Sequence, residues 1–388
     1  MRVAVLSDCY LPRLGGIEVQ VHDLAEQLVR RGHEVTVLTA TPGRHGERHG
    51  AVEVVDGVPV HHLALRLPGD LPVNPLAGSM LRERLRDGGF DVAHAHLGVV
   101  SPFGRAAVDA ALAVGLPTAI TWHCLLDGVV PLLRRVGTVR RWSDQGAALS
   151  AVSRTAAAQV VRAAAGAPVA VLPNGIDVSR WSPPGGRATP EGTPLTLVTA
   201  MRLTRRKRPL PLLRAAREVE RRLHDGAGRS AVVDWRLDVY GEGPQRRLLE
   251  AYVRREGLSH RVRLCGRVSR QELLTAYRSA AAYVSPTRLE AFGIAALEAR
   301  TAGLPVLAVE GSGVTDFVDH GRSGLIAPDD VQLSDHMLTI LADPVVRQAI
   351  RVHNAETPPA QAWPSVLDLV ERQLARAGEL HRMLRGTS

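Results

Sequence analysis

Short, unbroken apolar runs, each followed by a loop and then by a stretch with helical spacing, recur along the chain and restrict it to an α/β fold. Val3-Ala4-Val5-Leu6 is the first such run. A strand that is apolar at every position needs cover on both faces, which is the condition of a strand inside a parallel sheet. A loop follows with Pro12 and the pair Gly15-Gly16, and then Ile17, Val21, Leu24, Ala25 and Leu28 share one side of a helix. Gly32 closes that helix, and 35–38 forms the next run. Further strands are expected at 91–94 and 118–121, so residues 1–180 read as one doubly wound α/β domain.

Residues 181–194 break the pattern. They are rich in Pro, Gly and Thr, have no periodicity, and read as a linker. Beyond them the alternation restarts, with strands at 195–199, 236–240, 262–265, 282–285 and 306–309 and an amphipathic segment over 245–256. A second α/β domain is therefore expected at 195–345. The tail, 346–388, carries Val366, Leu369, Val370, Leu374, Ala377, Leu380 and Leu384 on one helical face. A helix of that kind needs a surface to cover, and the first domain is the expected one.

The length, 388 residues, suits two domains that each bury a core, and an apolar content of 45% is that of a globular chain. The formal charge of +9 favours anionic ligands or surfaces. Of 48 basic residues, 47 are Arg, and the one lysine is Lys207. A chain that avoids lysine everywhere else marks that position. Cys9, Cys124 and Cys265 match no zinc or redox spacing. No secretory signal and no run near the ~18 apolar residues of a spanning helix is visible, so a soluble, cytoplasmic protein is expected, with contact at the inner membrane face left open.

Ligands of such sheets bind at the carboxyl ends of strands, where three loops draw attention. Gly15-Gly16 stands between a strand and a helix start, where backbone N–H groups can approach an anion; a plain tight turn fits equally well. The loop Met201-Arg202-Leu203-Thr204-Arg205-Arg206-Lys207-Arg208-Pro209 holds the single lysine. Arg202 as a planar fork and Lys207 as a point charge suit a diphosphate, and a solvated basic turn is the alternative. In the third, Glu290 lies in a loop and Glu298 inside a helix eight residues on. At about 1.5 Å per helical residue that is roughly 12 Å, the reach from a sugar ring to a ribose across a diphosphate. Carboxylates so placed do not serve one bond as an acid–base pair; they can hold opposite ends of an extended molecule.

In this order the motifs resemble the retaining glycosyltransferases of family 4, which have the GT-B architecture of two Rossmann-like domains facing across a cleft. The resemblance runs over nearly the whole chain: Gly15-Gly16, Asp91-Val92-Ala93-His94-Ala95-His96, Pro173-Asn174-Gly175-Ile176-Asp177, Arg202 with Lys207, Gly241-Glu242-Gly243-Pro244, and Glu290 to Glu298, which matches the family's E-x7-E signature. It implies transfer of a sugar from a nucleoside diphosphate to an acceptor hydroxyl. Glu298 would bind the ribose and Glu290 the sugar, with the backbone of Phe292, Gly293 and Ile294 nearby. Arg202 and Lys207 would neutralise the leaving diphosphate, and Gly15 and Gly16 would meet it from the first domain. His123 matches the family's histidine near the transferred sugar, and Gly241 and Arg267 flank the expected base pocket. His94 and His96 read as structural.

No D-x-D triplet occurs, so no metal and no cofactor is expected; fixed cations would take the metal's part. The acceptor is not readable, lipid-linked and phosphorylated compounds included. Thr315-Asp316 stands where many relatives carry a glutamate. The stretch 132–142 reads as a surface helix with a buried inner face, though Gly137 favours a loop and a basic face toward anionic lipid is the alternative. The rival functions are a nucleotide-sugar epimerase, a non-catalytic binding protein of the same fold, and a nucleic-acid binder. The last lacks any binding motif or aromatic interleaving among its arginines.

Overall fold

The apolar run at the start of the chain forms β1 (Arg2–Ser7), buried from Val3 onward. In this computed structural model the described residues are 1–13, 15–48, 50–65, 74, 76–182, 194–225 and 233–386. After β1 come α1 (Gly16–Arg30), β2 (Glu34–Thr39), β3 (Ala51–Val55), β4 (Val58–His62) and α2 (Ala77–Asp87). Then follow β5 (Val92–Leu97), α3 (Pro102–Ala113), β6 (Thr118–Trp122), α4 (Val130–Val136) and α5 (Thr138–Asp144). β7 (Ala148–Ala151), α6 (Arg154–Ala163) and β8 (Val169–Val171) complete this part. The strands make one eight-stranded sheet in the order β3-β4-β2-β1-β5-β6-β7-β8, parallel except for the β3–β4 hairpin.

A short α7 (Val178–Trp181) leads to β9 (Leu195–Ala200), α8 (Pro209–Asp225), β10 (Trp235–Tyr240), α9 (Arg246–Arg255) and β11 (Val262–Gly266). α10 (Arg270–Ser279), β12 (Ala282–Ser285), α11 (Ile294–Thr301), β13 (Val306–Val309) and β14 (Gly324–Ala327) follow. α12 (Asp330–Ala342) and α13 (Pro344–Glu356) come next, and the chain ends in α14 (Trp363–Gly386). These strands form a six-stranded, all-parallel sheet in the order β11-β10-β9-β12-β13-β14. In both sheets the strand order reverses beside one strand, β1 in the first and β9 in the second. The loops leaving such a strand and its later neighbour part to opposite sides and open a crevice.

The chain divides into two compact units, residues 1–175 with 363–388, and residues 176–362. The first boundary falls before the expected 180 because Ile176 already donates its N–H to Gln361 O at 2.9 Å and the Trp181 ring lies 5.9 Å from Tyr277. Most of the expected linker, 183–193, lies outside the described residues. The return to the first unit comes at 363, not 346. α13 belongs to the second unit, where Ile350 joins the core and Asn354 Nδ2 donates to Leu304 O and Ser323 O at 2.8 and 3.0 Å.

α14 does cover the first unit, as its pattern implies. Val366, Leu367, Val370, Leu374 and Ala377 are buried with Val3, Val5, Ala119 and Ala148 of the sheet, and Trp363 closes over Gly175. A Cβ on Gly175 would lie 2.3 Å from the Trp363 ring, so that glycine is required for the contact. Leu380 is half-buried and Leu384 exposed, so the apolar stripe outruns the surface it covers. Leu374→Ala is expected to destabilise the first unit by about 2–5 kcal/mol, since it empties a fully enclosed site. Denaturant unfolding followed by tryptophan fluorescence measures this, and a change below about 1 kcal/mol would show that α14 is not part of that core.

Candidate active site

In the second unit β9 lies between β10 and β12, so loops about eighty residues apart in sequence leave the sheet side by side. The loop after β9 opens with Met201 to Leu203, held by Leu203 N–H on Glu242 O at 2.9 Å and Met201 N–H on Tyr240 O at 3.0 Å. Gly241 has a φ of 125°, and a Cβ there would lie 1.9 Å from Met201 O. Gly241, expected near a base, thus has a nearer duty: it lets the backbone carrying Arg202 pass. Arg202 is exposed and has no charged partner among the described residues, and the same holds for Arg267 after β11.

A single 3-10 turn, Arg205–Lys207, then brings the lysine round. Its Nζ forms an ion pair with Glu290 in the loop after β12. Glu290 is fixed from behind, because Gly313 N–H donates to its carbonyl at 2.8 Å. Phe292 is buried against Phe317, and Gly293, at φ 96°, caps α11 with Ile294 as its first residue. Glu298 is buried one turn into α11, 3.7 Å from the Arg270 guanidinium. Only the residues from Ile294 are helical, so the separation of Glu290 and Glu298 is not the eight-residue helical span used above. Thr315 sits in a 3-10 turn, its hydroxyl donating to Ser312 O at 2.9 Å.

In the first unit β1 lies between β2 and β5. Asp8, just past β1, accepts from the N–H groups of Phe103 and Gly104 at the start of α3, at 3.0 and 3.2 Å. Burial nevertheless raises its pKa to about 6. Gly15 is the N-cap of α1 and Gly16 its first residue. The Glu18 carboxylate folds back so closely that a Cβ on Gly15 would meet it at 2.3 Å, and it pairs with Arg13 at 3.4 Å. The helix end expected to meet a phosphate is therefore faced by the chain's own carboxylate.

His123 follows β6, its N–H on Leu97 O at 2.9 Å, and its Nε2 lies 2.9 Å from His96 Nδ1. His94 stacks beside His96 at 4.1 Å between ring centroids and bonds Thr121 Oγ1 at 2.8 Å. The three rings line a cavity of about 20 Å³, room for about one water, together with Asn174 and Val370. Burial holds all three imidazoles neutral: His94 falls to about 3, His123 to about 4 although a bond to Asn174 opposes the drop, and His96 lies well below its ordinary range. His94 fits the structural role expected of it, whereas His96 touches His123 directly.

The stretch 132–142 is two short helices parted at Gly137, which takes φ 72°. α5 buries Thr138, Val139 and Trp142, while α4 buries none of its residues and leaves Leu132 and Val136 exposed, at 61% and 59%, near Arg134 and Arg135 in sequence. No helix among the described residues is long and apolar enough to cross a membrane.

Two family models match the sequence, Glycosyltransferase Family 4 over residues 14–180 and Glycosyl transferases group 1 over 187–356. A D-inositol 3-phosphate glycosyltransferase of Nocardiopsis dassonvillei is 30% identical over 91% of this chain and 88% of that protein. The chain belongs to glycosyltransferase family 4. A glycogen synthase of Mycobacterium tuberculosis is also 30% identical, over 90% of this glycosyltransferase and 88% of the relative. Among solved structures, HepE of Anabaena in complex with UDP superposes with a TM-score of 0.72 at 16% identity, covering 97% of this chain and all of that one. Sucrose-phosphate synthase of Thermosynechococcus elongatus gives 0.70 at 20% identity over the full length of both. The fold of this glycosyltransferase is thus the GT-B fold of those enzymes.

Some residues of the glycosyltransferase's second unit were not legible in advance. Arg208 takes φ 58°, a left-handed conformation that costs a side chain about 1–2 kcal/mol, and Asp330 and Thr287 meet its loop from far along the chain. Only Arg208 had a signal, its place directly after Lys207.

The neutral histidines set an acid limit. In the unfolded chain each titrates near its ordinary 6.5, so below that pH the unfolded state binds protons that the folded state refuses. The histidines' contribution to stability should be full above pH about 6.5 and be lost as the pH falls toward about 4, partly offset by Asp8, whose raised pKa of about 6 acts with the opposite sign; fully buried His94 contributes up to about 1.4 kcal/mol per pH unit. Thermal unfolding at stepped pH checks the sign, and His94→Asn should flatten the slope; an unaltered slope would remove His94 from this account.

Proposed function

We propose that this protein is a retaining, metal-independent glycosyltransferase that moves a sugar from a nucleoside diphosphate to an acceptor hydroxyl. One observation carries the reading: the chain's only lysine meets Glu290 at the carboxyl ends of adjacent strands, on the loop that also bears the exposed Arg202. A diphosphate entering there exchanges one anionic partner of Lys207 for another, and Arg202 adds a planar fork. Glu290, released from the ammonium, accepts hydrogen bonds from hydroxyls of the sugar. The N–H groups of Phe292, Gly293 and Ile294 face the same ligand, and Glu298 takes the ribose hydroxyls. Gly241 and Arg267 border the base.

In the step itself the bond from the anomeric carbon to the phosphate oxygen breaks as the bond to the acceptor oxygen forms on the same face. The acceptor's proton passes to the leaving phosphate, and Arg202 and Lys207 stabilise the charge that develops there. No cofactor is part of the proposal, and the protein is assigned to the cytoplasm. The relatives' names make inositol phosphates and glucans the first acceptors to try. The proposal includes peripheral contact of α4 with anionic lipid, because its exposed Leu132 and Val136 stand beside arginines.

Calorimetric titration with UDP, GDP and ADP, with and without magnesium, tests the site. One nucleotide should bind equally well in both conditions, and Lys207→Ala should weaken it by about tenfold or more. Binding of none of the three would end the proposal. With a labelled donor, Glu290→Gln should slow transfer by about a hundredfold. The product's anomeric configuration reports retention, and an epimerised donor without transfer would favour the epimerase reading.

A further inference from the structure

Arg208 adopts a left-handed backbone conformation, φ 58° and ψ 42°, at the one joint between the lysine turn and α8. Glycine takes that conformation without strain, so an arginine there calls for a reason in its side chain. The guanidinium makes a bidentate pair with Asp330, Nη1 to Oδ1 at 2.9 Å and Nη2 to Oδ2 at 2.7 Å. The same Nη1 donates to the carbonyl of Pro286 at 3.0 Å. Asp330 is the first residue of α12, where the helix N-terminus favours a carboxylate, and it also draws Arg288 to 4.0 Å. From the other loop, the buried Thr287 hydroxyl donates to Lys207 O at 3.1 Å.

We propose that Arg208 and Asp330 form a clamp that holds the Lys207 loop against the Glu290 loop, and so are positioning residues of the donor site. The clamp touches backbone and carboxylate, not the proposed ligand. What it controls is the separation of the two loops. Without it one cross-loop bond remains, from the Thr287 hydroxyl to Lys207 O, and Lys207 otherwise hangs on a three-residue turn whose own bonds are local: Lys207 N–H on Thr204 O, and Arg208 N–H on Arg205 O, both at 3.1 Å. An ammonium on a long flexible stem then has many positions, of which few lie over Glu290 or over a diphosphate. The pairing of Arg with Asp is specific, because lysine lacks the fork that spans Asp330 and Pro286 O together. The inference deepens the proposed function and rests on it for the identity of the ligand alone.

The single lysine supplies a direct readout. Protein made with 13C-labelled lysine has one ε-methylene resonance, that of Lys207. In the full chain it should lie away from the free-lysine position, and Glu290→Gln should move it. Arg208→Gly, which relieves the backbone strain, and Asp330→Asn should each carry it toward the free position. The double variant should do no more than either alone, and Arg208→Lys should rescue only in part. Affinity for whichever of UDP, GDP and ADP binds should fall about tenfold in Arg208→Gly, with the melting temperature close to that of the parent. A resonance unmoved in both Arg208→Gly and Asp330→Asn, or shifts that add in the double variant, would overturn the clamp. Adding the three nucleotides to the parent sample separates the two ideas: a lysine signal that none of them moves defeats the sugar-transfer reading and leaves the comparison of variants intact.

Discussion

Parallel pairing with both sheet faces covered is the constraint from which the candidate site follows. A parallel neighbour is reached only through a crossover, so strands adjacent in space are distant in sequence. β9 takes β10 on one side and β12 on the other, and β1 takes β2 and β5 in the same way. The loops after β9 and β12 therefore emerge together although one carries Lys207 and the other Glu290. Nothing local to either loop demands the meeting; the register of the sheet does.

The two units treat charge in opposite ways. The second gathers ionised groups at its strand ends, with Lys207 on Glu290, Arg208 on Asp330 and Arg270 near Glu298. Each pair is partly exposed or bonded to further groups, which keeps the cost of removing charge from water small. The first unit places three imidazoles under α14 and holds them neutral, chiefly by burial and, for His94 and His96, also by their neighbouring imidazoles. One sheet end is thus suited to an anion and the other to hydrogen bonding without charge.

Close backbone approach supports the charged end. Gly241 and Gly243 let the Arg202 loop lie on the end of β10, where a Cβ would meet Met201 O at 1.9 Å and Leu203 O at 2.5 Å. Gly313 does the same for the Glu290 loop, with Ala291 O at 2.1 Å. These glycines fix main chain so that the side chains need only a few rotamers to meet. Among the described residues of the second unit, Arg208 alone joins a glycine-like backbone conformation to a long side chain.

Much of the architecture was legible in the chain itself. Runs such as 3–6 and 306–309 are apolar at every position, and only a strand covered on both sides accommodates that. The repeat of the alternation announced two domains, and the stripe from Val366 to Ala377 announced a helix in need of a partner surface. The lone lysine and the two glutamates drew attention to the loops after β9 and β12, which the sheet sets side by side. The tertiary structure alone decided where the chain returns, because α13 and α14 have similar patterns and only packing tells which core each completes. It alone brought His96 onto His123, and Asp330 onto Arg208 from more than a hundred residues away. Periodicity reports which face of an element is buried; it carries no information about which distant side chain arrives there, and that is settled by strand order and crossover path.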